Sequence, residues 1–557
     1  MATEPRDVAR AGLWTGALLA LAPFELREWT LGVGGLKVTL VEALALLAAL
    51  QNLWALRHGW RRRLSDMARP VFIALAAWTL LNIASAAWSG QAINSLKFAL
   101  RTAGGVWLCL SCAALAGSGS YRRALSRGVL VSLAGLTVFA SCERLIGQPF
   151  ERVLLHFRDE PTWMLGEPRL STVFYHANTL AAFLELTIPL LLLTAAQAQG
   201  RRRWMLLLWL ALTGIMLSLT YSRAGLGAGV LGALILAVAL RGGDRRRIYA
   251  LAFALFLCVA YFGNPDMRAR LGGAERTYKV AYEFLEPCQG RPGEVVRVPV
   301  RVKNIGQWPL SDRHAPGELG WVIWPPTGRP PASHFSYHPL RPLTTGQHQD
   351  VLTEVRLPNT PGKHALVVDV RRKAVIWLSA AGAKLGGVLC DASEDATTPT
   401  RDYRPTESIK MQTRPLELSR LHYWRAALEL FSERPWLGHG ADQFRWQYRS
   451  QVPDRAWDPR ARAHSVLMET AADLGLLGLI VLGALIALIA LNMLQNLRRA
   501  SALHYTQLAA TVGCCAFAAH SVVDYFLAYT QILLVAWPML GLTLCSADEH
   551  AAEPKIS

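Results

Sequence analysis

Residues 201–247, RRRWMLLLWLALTGIMLSLTYSRAGLGAGVLGALILAVALRGGDRRR, decide the fold. Between two arginine triplets lies an apolar run that reads either as one long helix or as two of ordinary length. A hydrocarbon core takes about 20 residues of helix, and Lys and Arg resist translocation. One helix would put Arg201–Arg203 and Arg245–Arg247 on opposite sides of a membrane; two helices broken at Tyr221-Ser222-Arg223 return both triplets to the same side.

The rest of the chain favours the break. Apolar runs fall at 11–27, 36–56, 70–89, 93–117, 125–146, 171–198, 204–222, 224–241, 248–263, 465–497, 503–520 and 523–545, about twelve spans by the length criterion. The first is short and interrupted by Pro23. With both termini cytoplasmic, alternate connections carry the positive charge: Arg6 and Arg10, Arg57 to Arg69, Arg122-Arg123 with Arg127, Arg201–Arg203, Arg241 with Arg245–Arg247, and Arg498-Arg499. The expected fold class is therefore an all-α polytopic membrane protein whose large outer loop carries an inserted β-sandwich. Its segments are transmembrane helices 1–9 (1–263), a connector (264–289), the β-sandwich (290–390), a linker (391–415), a helical catalytic segment (416–464), transmembrane helices 10–12 (465–545) and a cytoplasmic tail (546–557). No cleaved signal peptide is expected, because the first apolar run lacks a small-residue cleavage site.

The formal charge of +18 sits mostly in the juxtamembrane clusters, where it serves topology and contact with anionic lipid. No basic-aromatic groove pattern accompanies it, so nucleic acid is not an expected partner. Of nine cysteines, seven lie in apolar runs and only Cys288 and Cys390 in the outer loop. They bracket its β-rich part on the oxidising side, and a Cys288–Cys390 disulfide is expected.

Within that loop, Val295 to Val302, Val351 to Leu357 and His364 to Val370 alternate with period two between Pro-Gly turns, the pattern of a small β-sandwich. It resembles the immunoglobulin-like modules of bacterial surface-glycan proteins. Trp308, Trp321, Trp324 and Trp377 read as core aromatics, with a sugar-stacking platform as the alternative. Residues 391–415 have a linker's composition. From 416 helical spacing returns: Leu421, Trp424, Leu428 and Phe431 form one apolar face after a Ser419 cap, and Pro435 ends the helix. Arg445, Arg449, Arg455, Arg460 and Arg462 then line the approach to His464, a cationic surface suited to an anionic substrate.

His464 stands where the polar loop meets the tenth span, a place where an ionisable residue reads as functional. An imidazole at a helix start stays neutral and can accept a proton from a hydroxyl. Glu469 and Asp473, projected at 100° per residue, lie on the wrong sides of that helix to orient it. Asp442 or Asp524 is the expected partner, and a structural histidine capping its helix is the alternative. Arg223, in a turn on the outer side, can bind diphosphate oxygens and stabilise a leaving group; snorkelling to lipid phosphate is the alternative. Lys97 and Arg101 share a helix face near the outer end of the fourth span, as a diphosphate site or a lipid anchor. His176-Ala177-Asn178 opens the sixth span, and His520 and Asp524 flank the last turn. No metal-ligand spacing and no phosphate-binding glycine loop appears, so neither a metal, ATP nor another cofactor is expected.

Three segments together resemble the bacterial O-antigen ligase and polymerase superfamily: Tyr-Ser-Arg223-Ala-Gly; Ser419-Arg420 with Trp424 ahead of Arg434-Pro-Trp-Leu-Gly-His-Gly440; and His464-Ser465 followed after nine residues by Gly475-Leu-Leu-Gly478. The family pairs its arginine with a leucine four positions on; here that position is Trp424. The resemblance implies a metal- and ATP-independent, inverting glycosyltransferase of the bacterial inner membrane with its large loop periplasmic. His464 would be the general base, with Arg223 and Arg420 on the diphosphate. Lys97, Arg101, Asn178, Asp442 and Arg462 are further candidates for binding diphosphate or glycan. It implies a polyprenyl-diphosphate-linked glycan donor and lipid A-core as acceptor, with membrane lipids around it. A growing glycan would make the chain an O-antigen or exopolysaccharide polymerase, and a protein hydroxyl an oligosaccharyltransferase. A transporter or flippase for the same lipids is the rival class. It would show unwound mid-membrane helices or intramembrane charge pairs, whereas here ionisable residues are expected at the outer surface.

Overall fold

A computed structural model describes residues 6–26, 30–33, 36–57, 69–158, 163–164, 167–240, 244–263, 278–306, 309–311, 316–324, 335–372, 376–379, 383–393, 420–451, 461–500 and 503–545. The expectations for Arg61–Arg63, Trp308, Ser419, Arg455 and Arg460 lie outside these residues, as do most of the linker and the tail.

The chain divides into two units, the first made of 1–162, 169–263 and 418–557 and the second of 163–168 and 264–417. The first is helical. In chain order its helices are α1 (Arg6–Leu21), α2 (Leu40–Leu56), α3 (Arg69–Ser85), α4 (Ala92–Leu115), α5 (Gly119–Leu145), α6 (Ala177–Gln197), α7 (Gly200–Leu219), α8 (Arg223–Ala239), α9 (Arg245–Gly263), α10 (Arg420–Glu433), α11 (Val466–Arg498), α12 (Tyr505–Ser521) and α13 (Thr530–Thr543). All but α10 fall within or across the twelve apolar runs. Among the described residues α4, α5, α6, α7, α9 and α11 are long and apolar enough to cross a membrane.

The break at 221–223 is present. Leu219 ends α7, Tyr221 adopts a left-handed φ of 52°, and the Ser222 hydroxyl accepts the Gly225 N–H (3.1 Å) to cap α8. Pro23 sits in a 3-10 turn after α1, where its missing N–H costs no helical bond. Helix α6 is the most enclosed of the apolar helices and packs against α7 and α12.

The second unit is β-rich. Its strands after residue 264 are β1 (Val280–Phe284), β2 (Gln289–Gly290), β3 (Val295–Asn304), β4 (Gly317–Trp324), β5 (Ser336–Pro339), β6 (His348–Arg356), β7 (Gly362–Arg372), β8 (Ile376–Trp377) and β9 (Gly386–Ala392). One sheet runs β6-β3-β1 and the other β2-β9-β7-β4-β5, with β8 paired to β7. Alternate residues of both, among them Val298, Val300, Val351, Leu319, Leu366 and Val368, meet in one apolar core, as period-two alternation requires. Cys288 and Cys390 are disulfide-bonded inside that core, their Cα atoms 4.5 Å apart. Trp321 lies in this core and Trp324 in a second cluster, while Trp377 is half-buried against Phe335 and Tyr337.

Candidate active site

Two glycine-bearing segments, far apart in the sequence, lock together to present His464. Helix α11 is broken at Gly475, whose backbone (φ 62°, ψ −156°) is open to glycine and costly for other residues. A Cβ there would lie 2.6 Å from the Trp436 carbonyl carbon, and one on Gly438 would strike the Asp473 backbone. Hydrogen bonds lost by the break are replaced across the joint. Leu476 N–H donates to Pro435 O (2.7 Å) and Leu477 N–H to Trp436 O (3.2 Å), while His439 and Gly440 donate to Ala472 O (3.1 Å) and Asp473 O (2.8 Å).

Carboxylates finish this joint. Buried Asp473 accepts the backbone N–H groups of Asp442, Gln443 and Phe444 at 2.8, 3.1 and 2.6 Å. Asp442 accepts from Arg445 and Arg462, each at 2.5 Å, and Arg462 also reaches Glu469 at 3.0 Å. Glu469 accepts the Ala463 N–H at 2.7 Å. Arg462 is half-buried, and although desolvation works against its charge, Asp442 and Glu469 hold it more firmly protonated than usual. Glu469 and Asp473 thus hold the backbone on either side of the joint and do not touch the imidazole.

His464 itself has a left-handed φ of 51° and directly precedes Ser465, whose hydroxyl caps α11 by accepting the Met468 N–H (3.5 Å). Its ring packs on Tyr423 of α10, centroids 5.4 Å apart. Its Nδ1 lies 3.0 Å from Asp524 Oδ1, in the turn between α12 and α13. Of the two carboxylates expected to orient it, Asp524 does so and Asp442 does not. The same Asp524 accepts from Asn178 Nδ2 (2.6 Å), Arg420 Nη2 (3.2 Å) and the Tyr525 N–H (3.0 Å). Burial would raise the Asp524 pKa, but His464 and Arg420 beside it hold it well below the usual range. Asp524 is therefore a firm anion beside Nδ1, and Nε2 makes no hydrogen bond among the described residues.

Arg420 is 40% exposed while touching Asp524, so part of its guanidinium is open. Arg223 is the first residue of α8, exposed, and makes no hydrogen bond or ion pair among the described residues. Asn178 joins the site as the second residue of α6, under a His176 cap whose Nδ1 accepts the Asn178 N–H (3.1 Å). Burial and then Arg169 push the His176 pKa down to about 3, so this imidazole is neutral. Lys97 and Arg101 sit elsewhere: Arg101 is paired with Glu42 of α2 at 2.6 Å, and both cations act on Glu25, whose pKa burial raises. Asp442 and Arg462, expected as substrate contacts, bond to each other in a network with Arg445 and Glu469.

Two expectations are corrected. The buried face of α10 is Ala426, Ala427 and Leu430, packed on Phe444, Tyr448, Ala463 and Ala472, while Leu421 and Leu428 are exposed. Small alanines let α10 approach the segment before His464, a fit that hydropathy does not register. Ionisable residues are also not confined to helix ends. Glu185 of α6 and His520 of α12 are wholly buried and bond at 2.7 Å, and α11 is unwound at Gly475. Glu185 and His520 meet through one atom each, leaving Glu185 Oε2 and His520 Nε2 buried without a hydrogen bond among the described residues, whereas the backbone groups freed at Gly475 are met by protein. Arg169 is a residue the sequence reading missed: buried ahead of α6, it donates to Asn178 Oδ1 (2.6 Å) and Thr220 O (2.7 Å).

Beside the site an apolar cavity of about 630 Å³ opens between α3, α11, α12 and α13. Val466 and Phe526, each two residues from His464 or Asp524, form its near end, and Leu482, Met493 and Trp537 line its depth.

Residues 367–483 match the family model described as O-Antigen ligase, which supports the O-antigen ligase superfamily and an enzyme of ligase or polymerase type. The match takes in α10, His464 and the broken part of α11. No curated protein sequence matches the chain. Among solved structures, an alkylpurine DNA glycosylase from Pseudomonas fluorescens bound to abasic-site DNA aligns at 15% identity over 54% of this chain and 80% of that one, with a TM-score of 0.13. That score carries no argument about fold or function.

Proposed function

We propose that this chain is an O-antigen ligase-like glycosyltransferase of the bacterial inner membrane, with twelve spans, both termini cytoplasmic and an immunoglobulin-like module in its periplasmic loop. It moves a glycan from a polyprenyl-diphosphate carrier to a hydroxyl of lipid A-core. The observation that carries this reading is the His464–Asp524 pair at 3.0 Å beside a half-open Arg420. Asp524 holds the Nδ1 proton, and His464 Nε2 takes the proton from the acceptor hydroxyl. The oxygen attacks the anomeric carbon as its bond to the diphosphate breaks, and the electron pair leaves with the diphosphate. Arg420 and the exposed Arg223 stabilise that growing charge. One displacement inverts the anomeric configuration. The apolar cavity ending at this pair favours a substrate with a hydrocarbon chain.

The test is transfer by the purified chain, with a polyprenyl-diphosphate-linked oligosaccharide, in chelator and without nucleotide. Glycosylated lipid A-core supports a ligase, elongation of the lipid-linked glycan alone a polymerase, and a glycosylated protein hydroxyl an oligosaccharyltransferase. No transfer to any acceptor overturns the reading. The buried Glu185–His520 pair favours one second reading, a transporter of the same lipids. Proteoliposomes that translocate a labelled lipid-linked glycan without any acceptor would support it.

A further inference from the structure

Arg169 touches neither His464 nor Arg223 by any hydrogen bond among the described residues, yet it holds one support of each. Its Nη2 donates to Asn178 Oδ1 at 2.6 Å. Arginine has donors only, so the amide must turn its oxygen to Arg169 and its NH2 to Asp524, where Nδ2 sits 2.6 Å from Oδ2. Without that constraint the amide can flip, and its oxygen would then face a carboxylate oxygen. Asp524 would lose a donor on the side opposite His464.

The second donor acts on the other group. Arg169 Nε donates to Thr220 O at 2.7 Å, and the neighbouring Leu170 N–H donates to Leu219 O at 3.0 Å. These bonds grip the end of α7 three residues before Arg223, next to the left-handed Tyr221. The turn bearing Arg223 therefore hangs on the side chain that sets the Asn178 amide. We infer that Arg169 is a positioning residue that fixes the spacing between His464 and Arg223. Lysine, a single point charge, can serve one of the two acceptors but not both in this geometry.

This inference rests on the transferase reading, and the experiment separates the two. The Arg169→Lys and Asn178→Leu variants and their double are assayed as full-length purified protein for glycan transfer, with thermal unfolding in parallel. We expect Arg169→Lys to unfold near the parent temperature and to lose kcat by on the order of tenfold to a hundredfold, as small misplacements of reacting groups do. Its KM for the donor should stay close to the parent value. The double variant should be little worse than the poorer single, because both changes break one chain of contacts. Parent-like kcat, losses that multiply, or failure of Arg169→Lys to fold would each overturn the inference, the last because it makes Arg169 a general structural residue. An inactive parent chain would instead overturn the transferase reading.

Discussion

Residues 435–444 with 462–477 and the surroundings of His464 are both crowded with charge, but they treat it in opposite ways. In the first region the ion pairs close on themselves. Asp473 accepts three backbone N–H groups, and the half-buried Arg462 bridges the buried Asp442 and Glu469. Around His464 the sums do not close: Arg420 is 40% exposed, and among the described residues Arg223 has no ionic partner and His464 Nε2 no hydrogen bond. The difference teaches which charges hold the backbone and which are left for a ligand. Arg462 spends its Nη1 donors on Asp442 and Glu469, inside the network.

The comparison breaks most easily in the closed region. Asp473→Leu should destabilise the chain by about 3–5 kcal/mol, since three buried N–H groups lose their acceptor. Thermal unfolding or the yield of folded protein reads this directly, and parent-like stability would contradict the closed network. Gly475→Ala follows, at about 2–4 kcal/mol from the left-handed backbone and the overlap with Trp436 combined. An active, stable alanine variant would show that the loop docks differently.

In the open region the same kinds of change should cost activity more than stability. Asp524→Asn keeps the shape but no longer fixes the Nδ1 proton of His464, and kcat should fall by about a hundredfold or more. Arg223→Lys keeps the charge but loses bidentate geometry, and should lower kcat by on the order of tenfold with the unfolding temperature unchanged. If Arg223→Lys instead unfolded the chain, Arg223 would belong with the closed network.

A last and smaller contrast lies in the β-rich unit. Asp369 is buried and accepts from the Ser379 hydroxyl and the Val370 N–H, and burial raises its pKa to about 7. A carboxyl raised in the folded state binds its proton more tightly there than in the unfolded chain. Stability of this unit should therefore fall as pH rises from about 4 to about 7. Asp369→Asn should flatten that slope in a pH series of unfolding curves, and an unchanged slope would exclude Asp369 as its source.

Much of the helical frame was legible because apolar length and arginine placement are properties of single segments. The break at Tyr221-Ser222-Arg223 follows from such local rules. What was hidden depends on pairing. Projecting Glu469 and Asp473 around an unbroken helix correctly separated them from His464, but it could not reveal that Gly475 breaks the helix or that Asp473 collects three N–H groups. The partners of Glu185, Arg169 and Asp524 lie in other helices and turns. Hydropathy also named the wrong face of α10, because close packing through Ala426 and Ala427 scores below the exposed leucines.

The central claim is that His464, oriented by Asp524, takes the proton from the acceptor hydroxyl. The most direct measurement is single-turnover transfer by the purified His464→Ala chain, with binding of the lipid-linked donor followed in the same preparation. The account predicts parent-like folding and donor binding with transfer reduced by about a hundredfold to ten-thousandfold, the usual contribution of a positioned base. Transfer at a substantial fraction of the parent rate would contradict it.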